Sequence, residues 1–384
     1  MITKYDVFAK VVEKAPCKPK DLGFNKPVYT HISNLIDDNW IRKNKEGLIN
    51  PLKNKNTEVV FKILKWSLKN NINYNLWFSE SLLNVLNELP KSIPWINPPV
   101  LSNNQKIKET LNFLEKNQFL ILWKKRPKLG TLLNHSIFDL LINANNLKVK
   151  IKEKYLIYRE IIKEILKLPK KEINPFNIKI FEFLAGSAQL EGSTVSIGET
   201  VDLILKSIYP DKPNEDIQMV KNLNEAMNYV LNNINEKLNL VHLKELNKLC
   251  LFSLHKGAGQ FKKIQNKIFG NPNFQTTSPE KVVVELEDFC NKFNKIKTRE
   301  ECLKELGFIH NQHQRIHAFI DGNSRTTRLL VNWLLIKFKF PLLVLKIGAF
   351  EKYMSLTKLS TRRDDDSLRD FLLHLMVHEE LVKS

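Results

Sequence analysis

The stretch from His317 to Arg328 concentrates residue types that handle phosphate. It reads His-Ala-Phe-Ile-Asp-Gly-Asn-Ser-Arg-Thr-Thr-Arg. An imidazole can act as a general base, and the carboxylate of Asp321 could hold Mg²⁺ between phosphate oxygens. Arg325 and Arg328 are three residues apart, which places two cations on one face of a helix. Together these residues indicate phosphoryl or nucleotidyl transfer.

The pattern around this stretch predicts a helix, a tight turn and a second helix. Leu306 and Ile309 belong to an apolar helical stripe before the turn, and a new helix is expected to begin near Ser324. Gly322 and Asn323 form the turn signal between them. Such a turn directs backbone N–H groups and the positive end of a helix dipole at one spot. The turn is therefore predicted to bind an anion.

The same stretch resembles the signature of the Fic (filamentation induced by cAMP) family, H-x-F-x-[DE]-G-N-x-R-x-x-R, at every fixed position. The resemblance implies a protein adenylyltransferase, or AMPylator, which moves AMP from Mg-ATP to a Ser, Thr or Tyr hydroxyl of a target protein. In that role His317 would be the catalytic base and Asp321 the Mg²⁺ ligand. The residues that would hold the ATP phosphates are Gly322, Asn323, Ser324, Arg325 and Arg328, the last of them at the γ-phosphate.

Two positions depart from the commonest form of this signature. Ala318 stands where Pro is usual, and Ser324 stands where Gly is usual. If residue 324 needs a positive φ, a serine there would cost roughly 1 kcal/mol. The departures therefore bear on rate more than on reaction type. The resemblance as a whole covers residues 180 to 345.

An upstream segment resembles the inhibitory motif of the same family, [S/T]-x-x-x-E-[G/N]. The segment runs from Ser187 to Gly192, with Glu191 as its acidic residue. Phe183, Leu184 and Leu190 predict one packed face of a short helix, over about 180–192, that Gly192 ends as a C-cap; by resemblance this is the family's inhibitory helix. The resemblance implies that Glu191 pairs with Arg328, occupies the place of the γ-phosphate and inhibits the enzyme.

A candidate target-binding flap precedes the signature. Alternating side chains from Phe261 to Phe269, with a turn signal at Gly270, predict a short β-hairpin. In Fic proteins this hairpin is the flap, which holds a target segment by strand pairing. The candidate flap residues here are Lys263, Ile264, Gln265, Asn266, Lys267 and Ile268.

Residues 1–61 predict a winged-helix-like domain. Apolar stripes indicate three short helices, the second starting at Pro19, followed by a wing with its turn at residues 44–47. In the winged-helix family the third helix enters the major groove of DNA. The candidate DNA-binding residues are Lys26, Tyr29, Thr30 and Ser33. The alternative is a small packing or dimerisation domain, which Asp37 and Asp38 favour because they repel phosphate.

Composition and charge set the broader class. The chain has 384 residues, of which 43% are hydrophobic and only 12 are glycine, and this favours a mainly α protein of two or three domains. The predicted domains are 1–61, winged-helix-like; 62–150, a helical connector of unassigned role; and 151–384, a Fic-type helical domain with its core over about 215–345. The formal net charge of +19 fits nucleic acid, an acidic partner, a phosphate-bearing ligand or a solvated basic surface.

Three other functional hypotheses stay open at this point. The same site could remove AMP from a modified protein, with Glu191 positioning a water and His317 protonating the leaving hydroxyl. The chain could instead be a DNA-binding regulator whose Fic fold senses nucleotide. His310, His313 and His317 stand at i, i+3 and i+7 on one helix and could be zinc ligands.

The cellular setting is also an expectation from the sequence. The four cysteines show no C-x-x-C spacing, which is typical of reduced thiols in a cytosolic protein. Polar residues, Asn332 among them, interrupt the most apolar run, from Leu329 to Leu345, which disfavours a membrane span. We therefore expect a cytoplasmic protein without a membrane segment. Fic relatives with inhibitory helices are often dimers, so a homodimer is a further hypothesis.

Overall fold

The computed structural model describes residues 2–96, 104–268 and 270–382, and over these ranges the chain is mainly helical. The described helices are α1 Lys4–Lys14, α2 Tyr29–Asp37, α3 Lys55–Lys69, α4 Glu80–Ser92, α5 Gln105–Lys116, α6 Ser136–Ala144, α7 Tyr158–Leu166, α8 Ile178–Gln189, α9 Ile197–Lys206, α10 Asn214–Asn232, α11 Leu240–Leu251, α12 Val282–Lys295, α13 Arg299–Ile316, α14 Asn323–Lys337, α15 Ile347–Leu356 and α16 Asp365–Leu381. None of these helices is both long enough and apolar enough to cross a membrane.

Strands are few among the described residues and form short antiparallel hairpins. Strand β1 (Ile41–Lys43) pairs with β2 (Ile49–Pro51), and β3 (Leu120–Lys124) pairs with β4 (Leu129–Leu132). The mainly α fold class with short hairpins, predicted from the sequence, is therefore confirmed.

The chain divides into two compact units. The first consists of the described residues of Met1–Ser92, Pro98–Leu111 and Asn134–Ile151, and the second of those of Ile93–Asn97, Asn112–Leu133 and Lys152–Ser384. Residues of the segment 62–150, which was predicted to be one helical connector, therefore belong to both units. Its role stays unassigned.

The first unit begins with the element order expected of a winged helix. Helix α1 is followed by a short 3₁₀ turn at Pro19–Leu22, then by α2 and by the β1–β2 hairpin. Cys17 adds a third strand position, because its backbone exchanges hydrogen bonds of 3.3 and 2.8 Å with Ile49. Buried apolar residues from α1, α2 and β2 form a core under this sheet. The DNA-binding role of this unit stays a prediction.

The β3–β4 hairpin in the second unit was not predicted. Residues Leu120 to Trp123 are buried on both faces of the strand, so their side chains do not alternate between apolar and polar, and the period-2 signal of a half-exposed strand is missing. The backbone N–H of Leu122 donates to Nδ1 of His378 at 2.9 Å, which fixes β3 to α16.

A glycine sets how closely α13 and α16 approach. A Cβ added at Gly307 would lie 1.9 Å from the carbonyl oxygen of Asp365, a distance that no side chain tolerates. Because glycine has no Cβ, the first turn of α16 can lie directly on α13. Asp365 consequently reaches the next turn of α13, where Nδ2 of Asn311 donates to its Oδ1 at 2.9 Å.

A second glycine sets the position of α8. A Cβ added at Gly186 would lie 2.1 Å from the carbonyl oxygen of Leu345. The neighbouring Lys346 ammonium lies 3.3 Å from the Glu182 carboxylate on the same face of α8. Lys346 also pairs with Glu379 of α16 at 3.2 Å. Backbone contact and a mostly buried ionic cluster therefore fix α8 against the segment before α15.

Candidate active site

The residues of the signature form a short loop between α13 and α14. His317 ends α13 in the left-handed region, with φ 47° and ψ 53°, a conformation that is uncommon for a residue with a Cβ and that recurs at functional sites. Gly322 also has a positive φ, 76°. Ser324 lies in the first turn of α14 and is not among the described residues with positive φ. The predicted strain at Ser324 therefore does not arise.

Side-chain amides close this loop. The Asn323 side chain accepts from the backbone N–H of Phe319 at 3.0 Å and donates to its carbonyl at 2.8 Å. Asn247 of α11 donates to the carbonyl of Asp321 at 2.9 Å. Both polar atoms of the Asn323 side chain therefore bond to Phe319, while the amide nitrogen keeps a second hydrogen that it can donate. Asn323 thus holds the loop closed.

His317 is oriented for proton transfer. Its Nδ1 lies 3.2 Å from the carbonyl oxygen of Gln314, and a carbonyl can only accept, so Nδ1 carries the hydrogen and Nε2 keeps its lone pair. Burial lowers the pKa of His317 to about 4, and the positive charges of Lys358 and Lys262 act in the same direction. The imidazole is therefore neutral at pH 7 and able to accept a proton at Nε2.

The N-terminus of α14 meets the requirements of an anion site. Gly322 is its N-cap, and no side chain of the described residues caps it. Arg325 and Arg328, both buried, project from the first two turns. Since uncapped N–H groups carry the positive end of the helix dipole, this end of α14 can bind several phosphate oxygens.

Asp321 offers one carboxylate next to this anion site. Its side chain is 56% exposed, and its Oδ2 lies 3.1 Å from a guanidinium nitrogen of Arg325. Mg²⁺ in nucleotide sites is usually held by one or two carboxylates together with substrate phosphates. The hard oxygen of Asp321 fits such a shared ion, although no group of three metal-binding side chains occurs among the described residues.

The predicted pair between Glu191 and Arg328 is present. Arg328 donates to the Glu191 carboxylate at 2.8 Å, to the Ser187 hydroxyl at 2.8 Å and to the Ser187 carbonyl at 3.0 Å. Burial by itself raises the pKa of Glu191, but the positive charges of Arg328, Lys358 and Arg325, together with the hydrogen bond from Arg328, outweigh it and lower the pKa below its ordinary value.

The predicted C-cap is wrong by two residues, because α8 ends at Gln189 with Leu190 as its C-cap. Gly192 lies beyond the helix, where its φ of 100° lets the chain turn away.

The candidate flap is attached to the signature loop instead of pairing with itself. Over the described residues 261–268, Phe261 forms an isolated bridge with Phe319, and the Lys262 N–H donates to the Ala318 carbonyl at 2.8 Å. This corrects the expected self-paired hairpin; Phe269, its predicted last residue, lies outside the described residues. The reason is that Asn266 turns inward and donates to the Phe319 carbonyl at 3.0 Å.

The side chains of the flap differ in exposure. Ile264 is 75% exposed, and Lys263 and Lys267 are also exposed. Gln265 donates to the Thr276 carbonyl at 2.9 Å, and Ile268 is buried. A target could therefore contact the first three directly, whereas Ile268 belongs to the interior.

The three histidines of the zinc hypothesis do not converge. Nε2 of His310 lies 2.6 Å from the hydroxyl oxygen of Tyr353, and Nδ1 of His313 lies 2.7 Å from the hydroxyl oxygen of Thr327. His317 bonds a backbone carbonyl, as described above. Each ring thus has its own protein partner, and the described residues contain no cluster that would hold zinc. The zinc hypothesis is wrong.

Several site residues were not predicted from the sequence. Asn247 holds the loop, Lys262 lies buried beneath it, and Tyr353 contacts His310. These residues are distant from the signature along the chain and stand in ordinary helical or loop surroundings. A polar residue in an apolar helical stripe, as at Asn247, is the one local signal that could have indicated them.

We expect His317 to titrate far below an ordinary histidine. Since burial and two cations disfavour the imidazolium, histidine-selective NMR titration should give a midpoint near pH 4, with the neutral ring at all higher pH. His317→Ala assigns the resonance, and Lys358→Met should raise the midpoint because it removes a positive charge. A midpoint near 6.5, the value of an unperturbed histidine, would contradict this description of the site.

The family model described as Fic/DOC family matches residues 237–335. That range contains helices α11, α12 and α13, the flap segment, the signature loop and most of α14. It therefore includes His317, the anion site and Arg328. The inhibitory segment around Glu191 precedes it.

Known proteins resemble this chain over about half its length. Protein adenylyltransferase fic-1 of Caenorhabditis elegans is 24% identical over 208 residues, 52% of this chain and 40% of that protein. Protein adenylyltransferase Fic of Nematostella vectensis is 28% identical over 176 residues, 43% of this chain and 40% of that protein. The chain thus spans about two fifths of the length of these relatives.

A solved structure, a Fic domain containing signaling protein from Bacteroides thetaiotaomicron, is 22% identical, with coverage of 58% of this chain and 93% of that one and a TM-score of 0.48. The family assignment itself rests on the sequence match over residues 237–335 and on the complete signature within it. The chain therefore carries a domain of the Fic/DOC family.

Proposed function

We propose that the chain is a protein adenylyltransferase that moves AMP from Mg-ATP to a Ser, Thr or Tyr hydroxyl of a target protein. The observation that carries this proposal is the position of His317, whose Nδ1 is fixed by Gln314 within the loop that leads to the uncapped N-terminus of α14. A neutral base beside an anion site is what hydroxyl attack on a bound phosphate requires. The curated relatives named above carry the same activity in their names.

The reaction can be written with the residues of this site. Nε2 of His317 takes the proton of the target hydroxyl while its oxygen attacks the α-phosphorus of ATP. The bond from that phosphorus to the bridging oxygen breaks, AMP becomes esterified to the target, and pyrophosphate leaves. The N–H groups at the start of α14 and the Arg325 guanidinium hold the phosphates, and Arg328 contacts the γ-phosphate.

Asp321 would hold Mg²⁺ in this proposal. When bound, the ion supplies positive charge between phosphate oxygens and so offsets charge that develops on the leaving pyrophosphate. The Asp321 carboxylate is 56% exposed and pairs at 3.1 Å with the buried Arg325, so water screens this pair in part. The exposed side of the carboxylate is open to an ion.

The same geometry supports autoinhibition by α8. The Glu191 carboxylate and Ser187 occupy donors of Arg328 that a γ-phosphate would need. Because the Nε and Nη2 donors of Arg328 are taken by Ser187 and Glu191, a γ-phosphate has to compete with α8 for them. We infer that ATP binds in a productive orientation only when Glu191 has moved away.

Exposed residues of the flap give the target its docking edge in this proposal. Lys263, Ile264 and Lys267 flank backbone that reaches the His317 loop through Lys262 and Ala318. An extended target segment laid along this edge would bring its hydroxyl toward the imidazole. Removal of AMP from a modified target uses the same residues, and it is tested together with transfer below.

We also propose DNA binding by the first unit, because its predicted recognition surface is exposed. Lys26, Tyr29, Thr30 and Ser33 are all exposed. The wing adds the exposed cations Arg42, Lys43 and Lys45. Such a surface supports contacts to phosphate and base edges. The predicted cytoplasmic location and homodimer stay predictions.

Removing Glu191 should activate AMP transfer. Glu191→Gly frees Arg328 for the γ-phosphate, so incubation with Mg²⁺ and ATP should add AMP units to the protein itself or to added proteins, detected by mass spectrometry. The rate of AMP transfer should rise at least tenfold over wild type. Loss of a partly buried ion pair shifts the equilibrium between the inhibited and the active state by more than about 1.4 kcal/mol.

Matched variants make this result specific. Glu172 pairs with Lys339 at 3.0 Å on an exposed surface, so Glu172→Gly removes an ion pair of the same chemistry and should leave the rate unchanged. Adding His317→Ala to Glu191→Gly should abolish transfer. No gain with Glu191→Gly would overturn the autoinhibition, and loss of AMP from a modified protein without any transfer would favour the hydrolase.

Substitution of Gly186 should weaken inhibition without touching the ion pair. The Cβ of Gly186→Ala would meet the Leu345 carbonyl, and such overpacking costs about 1–3 kcal/mol, which opposes the seated position of α8. AMP transfer by Gly186→Ala should rise by roughly tenfold, up to the level of Glu191→Gly. The double variant should show no further gain.

Gly198 provides the control for this experiment. It also lies in a helix, but a Cβ added there would meet nothing within 4 Å. Gly198→Ala should therefore leave transfer unchanged and slightly raise thermal stability, because alanine is the better helix former. Equal rates for Gly186→Ala and wild type would show that α8 stays seated despite the contact.

DNA binding is tested by measuring how the affinity for duplex DNA depends on salt concentration. Lys43→Ala with Lys45→Ala should weaken duplex binding across sequences and reduce the slope of log affinity against log salt by about 2, one for each lost phosphate contact. Fluorescence anisotropy of a labelled duplex gives both quantities. Two exposed lysines of α3, Lys62 and Lys69, serve as control; an equal loss with them would mean non-specific attraction to a basic protein.

A further inference from the structure

A chain of polar contacts leads from the half-buried Asp365 of α16 through buried side chains to Arg328, and most of it lies outside the signature. Nδ2 of Asn311 donates to Asp365 at 2.9 Å, and Oδ1 of Asn311 lies 3.3 Å from Nδ1 of His310. Nε2 of His310 lies 2.6 Å from the hydroxyl oxygen of Tyr353. The same hydroxyl lies next to the buried Arg328 guanidinium and interacts with it electrostatically.

The donor and the acceptor of each hydrogen bond in this chain can be assigned by starting from Asp365. Arg363 donates to both carboxylate oxygens of Asp365 at 2.7 Å, so Asp365 is ionised and can only accept. The Asn311 amide nitrogen must therefore face Asp365, and its carbonyl oxygen must face His310. Nδ1 of His310 then carries the hydrogen, and its Nε2 is an acceptor.

Tyr353 completes the chain. Since Nε2 of His310 accepts, the Tyr353 hydroxyl donates to it and keeps its oxygen lone pairs for Arg328. Tyr353 is 2% exposed and His310 is fully buried, so water does not compete for these bonds. Burial lowers the pKa of His310 to about 3, and the ring stays neutral at physiological pH. The Tyr353 oxygen is thus a fixed acceptor beside a buried guanidinium.

Arg328 has two sets of partners that behave differently on activation. Ser187 and Glu191 belong to α8 and the residues that follow it, the segment that must give way before ATP can bind. Tyr353 belongs to α15 and is supported from α13 and α16, which need not move. When Glu191 leaves, Tyr353 therefore still contacts Arg328.

We propose that Tyr353 is a positioning residue that keeps Arg328 directed at the γ-phosphate of ATP once Glu191 has withdrawn, and that His310 and Asp365 fix the direction of its hydroxyl. This inference rests on the proposed adenylyltransferase function. It has a specific consequence, because Arg328 contacts only the γ-phosphate. Loss of the Tyr353 hydroxyl should weaken the binding of nucleotides that have a γ-phosphate and leave the binding of nucleotides without one unchanged.

The experiment compares ATP with ADP in the activated background. Glu191→Gly and Glu191→Gly/Tyr353→Phe are titrated calorimetrically with Mg-ATP and with Mg-ADP. The hydroxyl deletion should lower ATP affinity about tenfold, the usual effect of losing a hydrogen bond to a charged group, and leave ADP affinity unchanged. KM for ATP in AMP transfer should rise by a similar factor, with a smaller change in kcat.

Tyr155 supplies the matched control. Its hydroxyl donates to Glu153 at 3.0 Å in the same compact unit, so Glu191→Gly/Tyr155→Phe deletes a comparable group away from Arg328. Its ratio of ATP to ADP affinity should equal that of the parent. An unchanged ratio in the Tyr353→Phe variant, or equal losses for ATP and ADP, would overturn the inference.

A second pair of variants tests the direction of the chain even if Tyr353→Phe unfolds. His310→Gln places an amide where Nε2 stands and can still accept from Tyr353, whereas His310→Asn places one where Nδ1 stands and cannot. The glutamine variant should retain more of the ATP preference than the asparagine variant. The reverse order would overturn the inference, and failure of the Glu191→Gly parent to bind Mg-ATP would overturn the proposed function and the inference with it.

Discussion

The arrangement of the second unit depends on one buried cation, Arg328. A guanidinium that is 4% exposed has lost most of its hydration, and that loss is offset only by hydrogen-bonded or charged partners. The structure supplies them from two directions, Ser187 and Glu191 from one side and Tyr353 from the other. A phosphate that enters must replace the first set without leaving the charge unpaired. In the proposed function, inhibition and substrate binding are therefore alternative solutions to the same electrostatic requirement.

Residues far from the signature determine how well Glu191 meets that requirement. Gly186 allows α8 to touch the Leu345 carbonyl, and Lys346 connects the same helix with Glu379 of α16 through a mostly buried cluster. Breaking such a cluster by removing one charge leaves the others unpaired, which costs several kcal/mol. The position of the inhibitory carboxylate is thus a property of the whole helical packing and not of its own short motif.

The sequence predicted what depends on local spacing. The two helices around the signature, the glycine turn at Gly322 and the pair of Glu191 with Arg328 are all present, because each follows from periodicity or from a family motif. The β3–β4 hairpin was missed since its strand is buried on both faces, and the flap pairs with the signature loop since Asn266 turns inward. Tyr353 could not be predicted, because its contact with His310 joins residues 43 positions apart through tertiary packing.

The two ion pairs at the site differ in the free energy needed to break them. This difference decides which pair controls the binding of nucleotide. Both guanidinium groups are buried, but Asp321 is 56% exposed, so water screens its pair with Arg325 in part and solvates the carboxylate when the pair opens. Glu191 is 21% exposed and faces a buried guanidinium, where loss of a partner costs about 3–5 kcal/mol unless another anion takes its place. Nucleotide can therefore displace the first pair by itself. In the proposed function the second pair opens when α8 withdraws, and the γ-phosphate then takes over the charge of Arg328, so the contact made by α8 would set the threshold for activity.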